Sequence, residues 1–301
     1  MDDFSEITLS LCRDTSEYFK AENSQSADYC FANIYMWDEK YTQSVAFCQD
    51  RLITKLSREH QTFFAFPIGS GNITPAFEFM WAYCRKNEIP LRICGVTDSH
   101  LELISTAFPN QFEVTEDRAF ADYIYPAEKL ATFEGKHLHS KRNFCHRFES
   151  EYDWRFVPLT DELIPDCISM LDTWMLRNSE RLTPDIGYER SAILRGLKHM
   201  DELSLCGGVL FADGELVGFS VGELLNEDTF CVHFEKAFTE TEGAYPMLCR
   251  EMAKLAMSLY PEIRYVNRED DMGNPALRTS KLSYKPERIL MKYIVSEIND
   301  R

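Results

Sequence analysis

The chain reads as an α/β protein with mixed (α+β) sheets, built from two units of similar design. Three observations carry that reading. The order hairpin, strand, helix, strand, helix, strand occurs once in each half of the 301 residues, without sequence repetition between the halves. Asp213-Gly214, flanked by two apolar runs, is a strong two-residue hairpin signal. Residues 265–286 gather an amide, three consecutive carboxylates and four cations around one strand-to-helix turn, where ligand sites of α/β proteins sit.

The first half begins with two strands, 43–48 and 51–56, around the turn Gln49-Asp50, and a third follows at 63–67. Phe77, Met80, Trp81 and Cys84 share helical spacing and predict a helix over 73–86. A strand at 90–96, a helix at 99–108 and a last pair of strands at 112–115 and 122–125 complete that half. The second half opens with helices near 135–151, 163–177 and 188–200. Strands at 203–212, 215–225 and 229–236 follow, then a helix at 244–260 with Leu248, Met252, Leu255 and Leu259 on one stripe. A strand at 263–266, a short helix at 275–282 and a strand at 288–295 close the pattern. Asn274-Pro275 reads as an N-cap followed by proline at the first helical position. The expected division is 1–130 and 131–301, joined near 126–135. No low-complexity linker separates the halves, so they are expected to pack together.

With 45% hydrophobic and 13% aromatic residues the chain can bury a substantial core. No stretch approaches the roughly 20 apolar residues needed to cross a bilayer, and the first residues carry no basic-then-apolar leader. The ten cysteines are scattered without a Cys-x-x-Cys pair, which fits buried free thiols in a reducing cytoplasm. A net charge of −17 weighs against indiscriminate binding to nucleic acid or anionic membrane. Two stretches run against it. Residues 136–148 hold Lys136, Lys141, Arg142 and Arg147 with no acid, and residues 272–293 hold five cations against Glu287. Two basic islands in an acidic body point to a confined anionic ligand.

On a helical wheel of residues 135–150, Leu138, Phe144, Cys145 and Phe148 form the apolar sector. Lys141 falls inside it and Arg142 on its border. A lysine there must meet an anion or snorkel out, so it is a cleft-facing ligand cation or half of a structural ion pair. Arg278 and Lys281, three apart on one helical face, form the second cationic pair. His137, His139 and His146 lack the spacing of metal ligands on one helix, and no metal site is expected. Strict alternation places Gly218, Ser220 and Gly222 on one face of their strand. It also places Cys231, His233 and Glu235 together, with His233 and Glu235 as candidate proton-transfer groups. A hydrogen-bonded core histidine is the competing reading. Gly243-Ala244, opening a helix, offers backbone N–H groups to an anion.

Gly243-Ala-Tyr245, Asn267-Arg-Glu-Asp-Asp271 and Leu277-Arg-Thr-Ser-Lys-Leu-Ser-Tyr284 carry a resemblance that spans nearly the whole chain. Lys136-His-Leu-His-Ser-Lys-Arg-Asn143 and Phe31-Ala-Asn-Ile-Tyr-Met-Trp37 extend it. Together they resemble the C-terminal catalytic domain of the bacterial phosphatidylglycerol lysyltransferases. The resemblance implies two tandem GNAT-type (acyl-CoA N-acyltransferase) folds and transfer of an aminoacyl group from charged tRNA. It carries over Lys141, Arg142, Asn143, Asn267, Arg268, Glu269, Asp270, Arg278 and Lys281, with Tyr284 as an addition. Two departures follow. The membrane-spanning portion of the lysyltransferases has no counterpart here, so an acceptor other than lipid is expected. Glu240 and Tyr245 occupy the outer positions of the pyrophosphate loop used by acetyl-CoA enzymes, and an acid beside a pyrophosphate is repulsive.

The expected function is a soluble, cytoplasmic transferase moving an aminoacyl or acyl group onto an amine or hydroxyl. Arg278, Lys281, Lys141 and Arg142 would hold anionic parts of the ligands, and Glu269, Asp270 or His233 would take the proton. Acetyl-CoA as donor is the alternative within enzymes, and a non-catalytic module for tRNA ends or an anionic metabolite is the alternative outside them.

Overall fold

The computed structural model describes residues 4–179 and 186–298. They form two compact units that interleave along the chain, Met1–Asp122 with Asp270–Gly273 and Leu290–Arg301, and Tyr123–Glu269 with Asn274–Ile289.

In the first unit β1 (Ser5–Glu6) and helices α1 (Leu11–Glu22), α2 (Phe31–Met36) and α3 (Asp38–Tyr41) lead into β2 (Ser44–Cys48) and β3 (Arg51–Arg58). The β2–β3 hairpin closes at Cys48 opposite Arg51, with Gln49 in the left-handed region that such a turn requires. Next come β4 (Gln61–Ala65), β5 (Ile68–Gly69), α4 (Ile73–Lys86), β6 (Arg92–Val96), α5 (Asp98–Ala107) and β7 (Phe112–Glu116). α4 covers the predicted range, and its Asn72 cap accepts the Thr74 N–H at 2.9 Å. Leu52, Ile53, Phe64, Phe77, Met80 and Ile93 are fully buried around the sheet. α1 is missing from the sequence reading because its residues are mostly polar and bury only Thr15.

The second unit holds β8 (Asp122–Pro126), α6 (Ala127–Thr132), α7 (His139–Glu151), β9 (Trp154–Pro158), α8 (Ile164–Arg177) and α9 (Ile186–Lys198). β10 (Cys206–Ala212), β11 (Glu215–Leu224), β12 (Thr229–Ala237), α10 (Ala244–Leu259), β13 (Tyr265–Asn267), α11 (Pro275–Ser283) and β14 (Arg288–Leu290) follow. The sheet order is β14-β8-β13-β12-β11-β10-β9. α6, α7 and α10 pack on one face, where Phe148 of α7 and Met252 of α10 join Tyr123, Tyr125, Phe230 and Val232 of the sheet in one core, while α8 packs on β11 and β12. Asp213-Gly214 makes the expected hairpin, and Asn274 caps α11 by accepting the Ala276 and Leu277 N–H groups.

Two strand assignments differ from the sequence reading. The strand expected to end the first half, β8, pairs with β13 in the second sheet. The strand expected over 288–295 breaks at Met291-Lys292. Its first part is β14 of the second sheet, and the chain's last strand, Tyr293–Glu297, lies between β6 and β7 of the first. An apolar run shows that a strand is buried, but its partner is chosen by long-range packing.

Candidate active site

β12 and β13 run parallel and pair only from Thr229 to Cys231, opposite Tyr265 to Asn267. β12 continues to Ala237 without a partner on that side, so the two strands open into a fork. The residues that leave β13 at this point are Arg268 and Glu269. Their chain is pinned by the Arg268 N–H donating to the Tyr123 carbonyl at 3.1 Å and the Tyr123 N–H donating to the Glu269 carbonyl at 3.2 Å.

A β-bulge in β12 decides which side chains meet there. The register passes from Val221 opposite Phe234 to Gly222 opposite Val232, which leaves His233 as the extra residue. Alternation therefore inverts across His233. Phe230, Val232 and Ala237 all join the core beneath α10. The expected common face for Cys231, His233 and Glu235 is thus corrected. Glu235 faces the α10 side, and His233 stays with Cys231 on the other. Gly222 fits the bulge because an added Cβ would lie 2.0 Å from the Cys231 carbonyl oxygen and 2.7 Å from the Phe230 ring.

On the α10 side, Arg268 donates through Nη2 to Glu235 Oε1 at 2.7 Å, with side chains 12% and 10% exposed. The second oxygen of Glu235 and the Nη1 of Arg268 are buried and have no hydrogen-bond partner. Ser220, fully buried and directly across from Glu235, also has an unpartnered hydroxyl. Lys141 lies 3.8 Å above the Tyr284 ring, and the Arg268 guanidinium lies 4.5 Å from the same ring. Burial, and then the neighbouring Arg268 charge, hold the Lys141 ammonium below the ordinary lysine range. Burial pushes the Cys249 thiol up to about 12 and the Tyr284 phenol well above its usual value. Lys281 donates its Nζ to the Arg268 carbonyl, and Tyr125 donates its hydroxyl to the Lys281 carbonyl at 2.8 Å. Arg268 and Lys141 therefore share one carboxylate, Glu235, in a largely dry corner, an arrangement that favours an additional negative or strongly polar group.

On the opposite side His233 sits between two carboxylates, Nδ1 at 2.7 Å from Glu269 and Nε2 at 2.9 Å from Glu223. Asn267, fully buried, accepts the Glu269 N–H at 2.6 Å and holds that residue in the left-handed region at φ 53°.

The remaining candidates have these surroundings. Arg142 donates to the carbonyls of Phe133 and Gly135, the latter at 3.2 Å. Exposed Asn143 contacts His139 on its own helix at 3.1 Å. Arg278 is half-buried on α11, and Asp270 belongs to the first unit, where it accepts the Met272 N–H at 2.9 Å. At the start of α10, Gly243 packs against α7, with an added Cβ falling 2.6 Å from the Phe144 carbonyl oxygen. The Ala244 N–H already donates to the Thr241 carbonyl at 3.1 Å. Phe144 itself, placed in the apolar sector by the helical wheel, is 37% exposed. Glu242 pairs with Arg147, and Glu240 lies 3.8 Å from Arg177. The pairing of Glu235 with Arg268 went unseen in the sequence, because 33 residues and a helix separate the two.

Among the described residues no helix is long and apolar enough to cross a membrane. A conserved protein of unknown function from Bacteroides thetaiotaomicron superposes with a TM-score of 0.93 at 33% identity, over 99% of this chain and all of that one. A tandem GNAT protein from the clavulanic acid biosynthesis pathway superposes with a TM-score of 0.52 at 10% identity, over 99% of each chain. A protein of Mycoplasmoides gallisepticum is 26% identical over 181 residues, which span 59% of this chain and 56% of that relative. The fold is a tandem GNAT fold of the acyltransferase type. Residues 19–296 match the family described as phosphatidylglycerol lysyltransferase, C-terminal, and the chain belongs to that family.

Proposed function

We propose that the second unit transfers an aminoacyl group from an activated ester donor, charged tRNA in the first instance, to an amine or hydroxyl. The reaction would be centred at Glu235 and Arg268. The observation that supports this reading is that both members of one buried ion pair keep an atom with an unmade hydrogen bond, a carboxylate oxygen on Glu235 and a guanidinium nitrogen on Arg268. Each buried group without a partner costs about 1–3 kcal/mol, so a ligand that supplies both partners recovers that cost. In the reaction, Glu235 Oε2 takes the proton of the attacking nitrogen or oxygen as its bond to the acyl carbon forms. Arg268 Nη1 donates to the oxygen of the tetrahedral intermediate, an interaction worth about 3 kcal/mol per donor in related chemistry. The ester C–O bond then breaks, and the proton passes from Glu235 to the departing alkoxide. Lys141 and Lys281 supply the positive field for the donor's anionic portion.

The start of α10 favours an aminoacyl ester over acetyl-CoA. Its first turn is covered by α7 at Gly243, and the Ala244 N–H already donates to the Thr241 carbonyl, so that turn is poorly placed to cradle a pyrophosphate. The test is discharge of labelled aminoacyl-tRNA in the presence of pooled amine and hydroxyl acceptors. The wild-type chain is expected to accelerate discharge, and Glu235→Gln and Arg268→Lys to slow it by about 10²-fold or more with folding intact. Undiminished discharge by both variants would remove the fork from the reaction. Inert charged tRNA together with a thermal shift from acetyl-CoA would put the CoA-dependent reading in its place.

A further inference from the structure

The transfer reading leaves the far side of the bulge unused, and its side chains form a second constellation. Cys231 Sγ lies 3.8 Å from His233 Nδ1 and 4.0 Å from Glu269 Oε1, and the latter two atoms are 2.7 Å apart. Four-coordinate zinc, with bonds of about 2.0–2.3 Å, separates its ligand atoms by roughly 3.3–3.6 Å. Shifts of a few tenths of an ångström would bring these three atoms onto such a centre. We propose that Cys231, His233 and Glu269 form a binding site for a divalent cation of the zinc class, oriented by Glu223.

Four features beyond proximity support the assignment. One soft sulfur, one imidazole nitrogen and one carboxylate oxygen select a borderline transition-metal ion over magnesium or calcium. His233 Nε2 lies 2.9 Å from Glu223, so a proton on Nε2 given to that carboxylate presents Nδ1 to the cation in the carboxylate–histidine–metal arrangement. Cys231 and His233 stand on β12 with their side chains buried, and Glu269 follows the end of β13 on a backbone pinned to Tyr123. Glu269 is held at a positive φ, a conformation costing of order 1 kcal/mol or more outside glycine, by the Asn267 cap that aims its carboxylate. Three protein ligands leave a fourth position for water or a ligand atom. Binding displaces the Cys231 thiol proton, so affinity rises with pH. The competing arrangement is a protonated His233 in two ion pairs. The proposal stands apart from the transfer reading, which uses none of these side chains.

Cobalt(II) titration of the metal-stripped full chain, followed by zinc displacement, tests it. The expected result is stoichiometric uptake with a near-ultraviolet thiolate-to-cobalt charge-transfer band that zinc abolishes. Cys231→Ser should lose the band while keeping its circular dichroism, and Glu223→Gln should keep the band with affinity about 10–100-fold weaker. Glu235→Gln should keep the band at full strength, which separates this site from the transfer centre. No uptake, or a band that survives Cys231→Ser, overturns the proposal.

Discussion

Lys141 shows how a single side chain can work against stability. Its ammonium is largely withdrawn from water, sits on the Tyr284 ring and shares the corner with Arg268, and its pKa is depressed by burial first and by that charge second. Between the lowered folded value and the ordinary value of about 10.4, the unfolded chain binds more protons than the folded one, so stability rises with pH through that window. Lys141→Met should therefore raise the urea midpoint at pH 7 and flatten its climb toward pH 10.5, while weakening charged-tRNA binding. A lower midpoint at pH 7 would show that the ring contact outweighs the burial. The helical wheel found Lys141 because a cation in an apolar sector is anomalous. The same wheel put Arg142 on the border of that sector, and only the fold shows its guanidinium meeting two backbone carbonyls nearby. Glu235 was legible as a strand carboxylate, but its partner and its idle oxygen were not, since both depend on where β13 ends.

The bulge in β12 is the element that sorts the site. Period-two alternation assigned Cys231, His233 and Glu235 to one face, and a single unpaired residue inverts that assignment. Nothing in Phe230 to Glu235 announces it, and the compensating Gly222 lies on the neighbouring strand. Local signals fared better where the chemistry is local, as with the Asn274-Pro275 cap and the Asp213-Gly214 turn. The glycine opening α10 had a local signal too, yet its neighbour is the α7 backbone, which only packing reveals. Gly243 has φ +86°, and an added Cβ would meet the Phe144 carbonyl oxygen at 2.6 Å. Gly243→Ala should cost about 1–3 kcal/mol from the backbone strain alone. That is a fall of roughly 2–12 °C in melting temperature for a unit of this size, readable by calorimetry. An unchanged melting temperature with lost ligand affinity would instead return Gly243 to the anion-binding role.

Across the whole molecule, the chain's last strand matters most to the first unit. It lies between β6 and β7, and just before it Lys292, 1% exposed, meets Asp122 at 2.9 Å and Asp28 at 3.0 Å. Burial opposes the Lys292 charge, but the two aspartates outweigh it and raise its pKa. Its stabilisation is therefore complete below about pH 10.4 and lost only as pH rises through the folded value. Lys292→Met should destabilise the first unit by about 3–5 kcal/mol at pH 7, measured by urea unfolding, because buried carboxylates lose their cation. A loss under 1 kcal/mol would mean the aspartates find other partners. The alternation of strands and helices, the capped turn after β13, the two basic islands and the family were determined by the sequence alone, because periodicity, turn chemistry and motif spacing are properties of neighbouring residues. Which strand enters which sheet, where alternation inverts, and which carboxylate meets which cation were decided only by the tertiary structure, because those contacts join residues far apart in the chain.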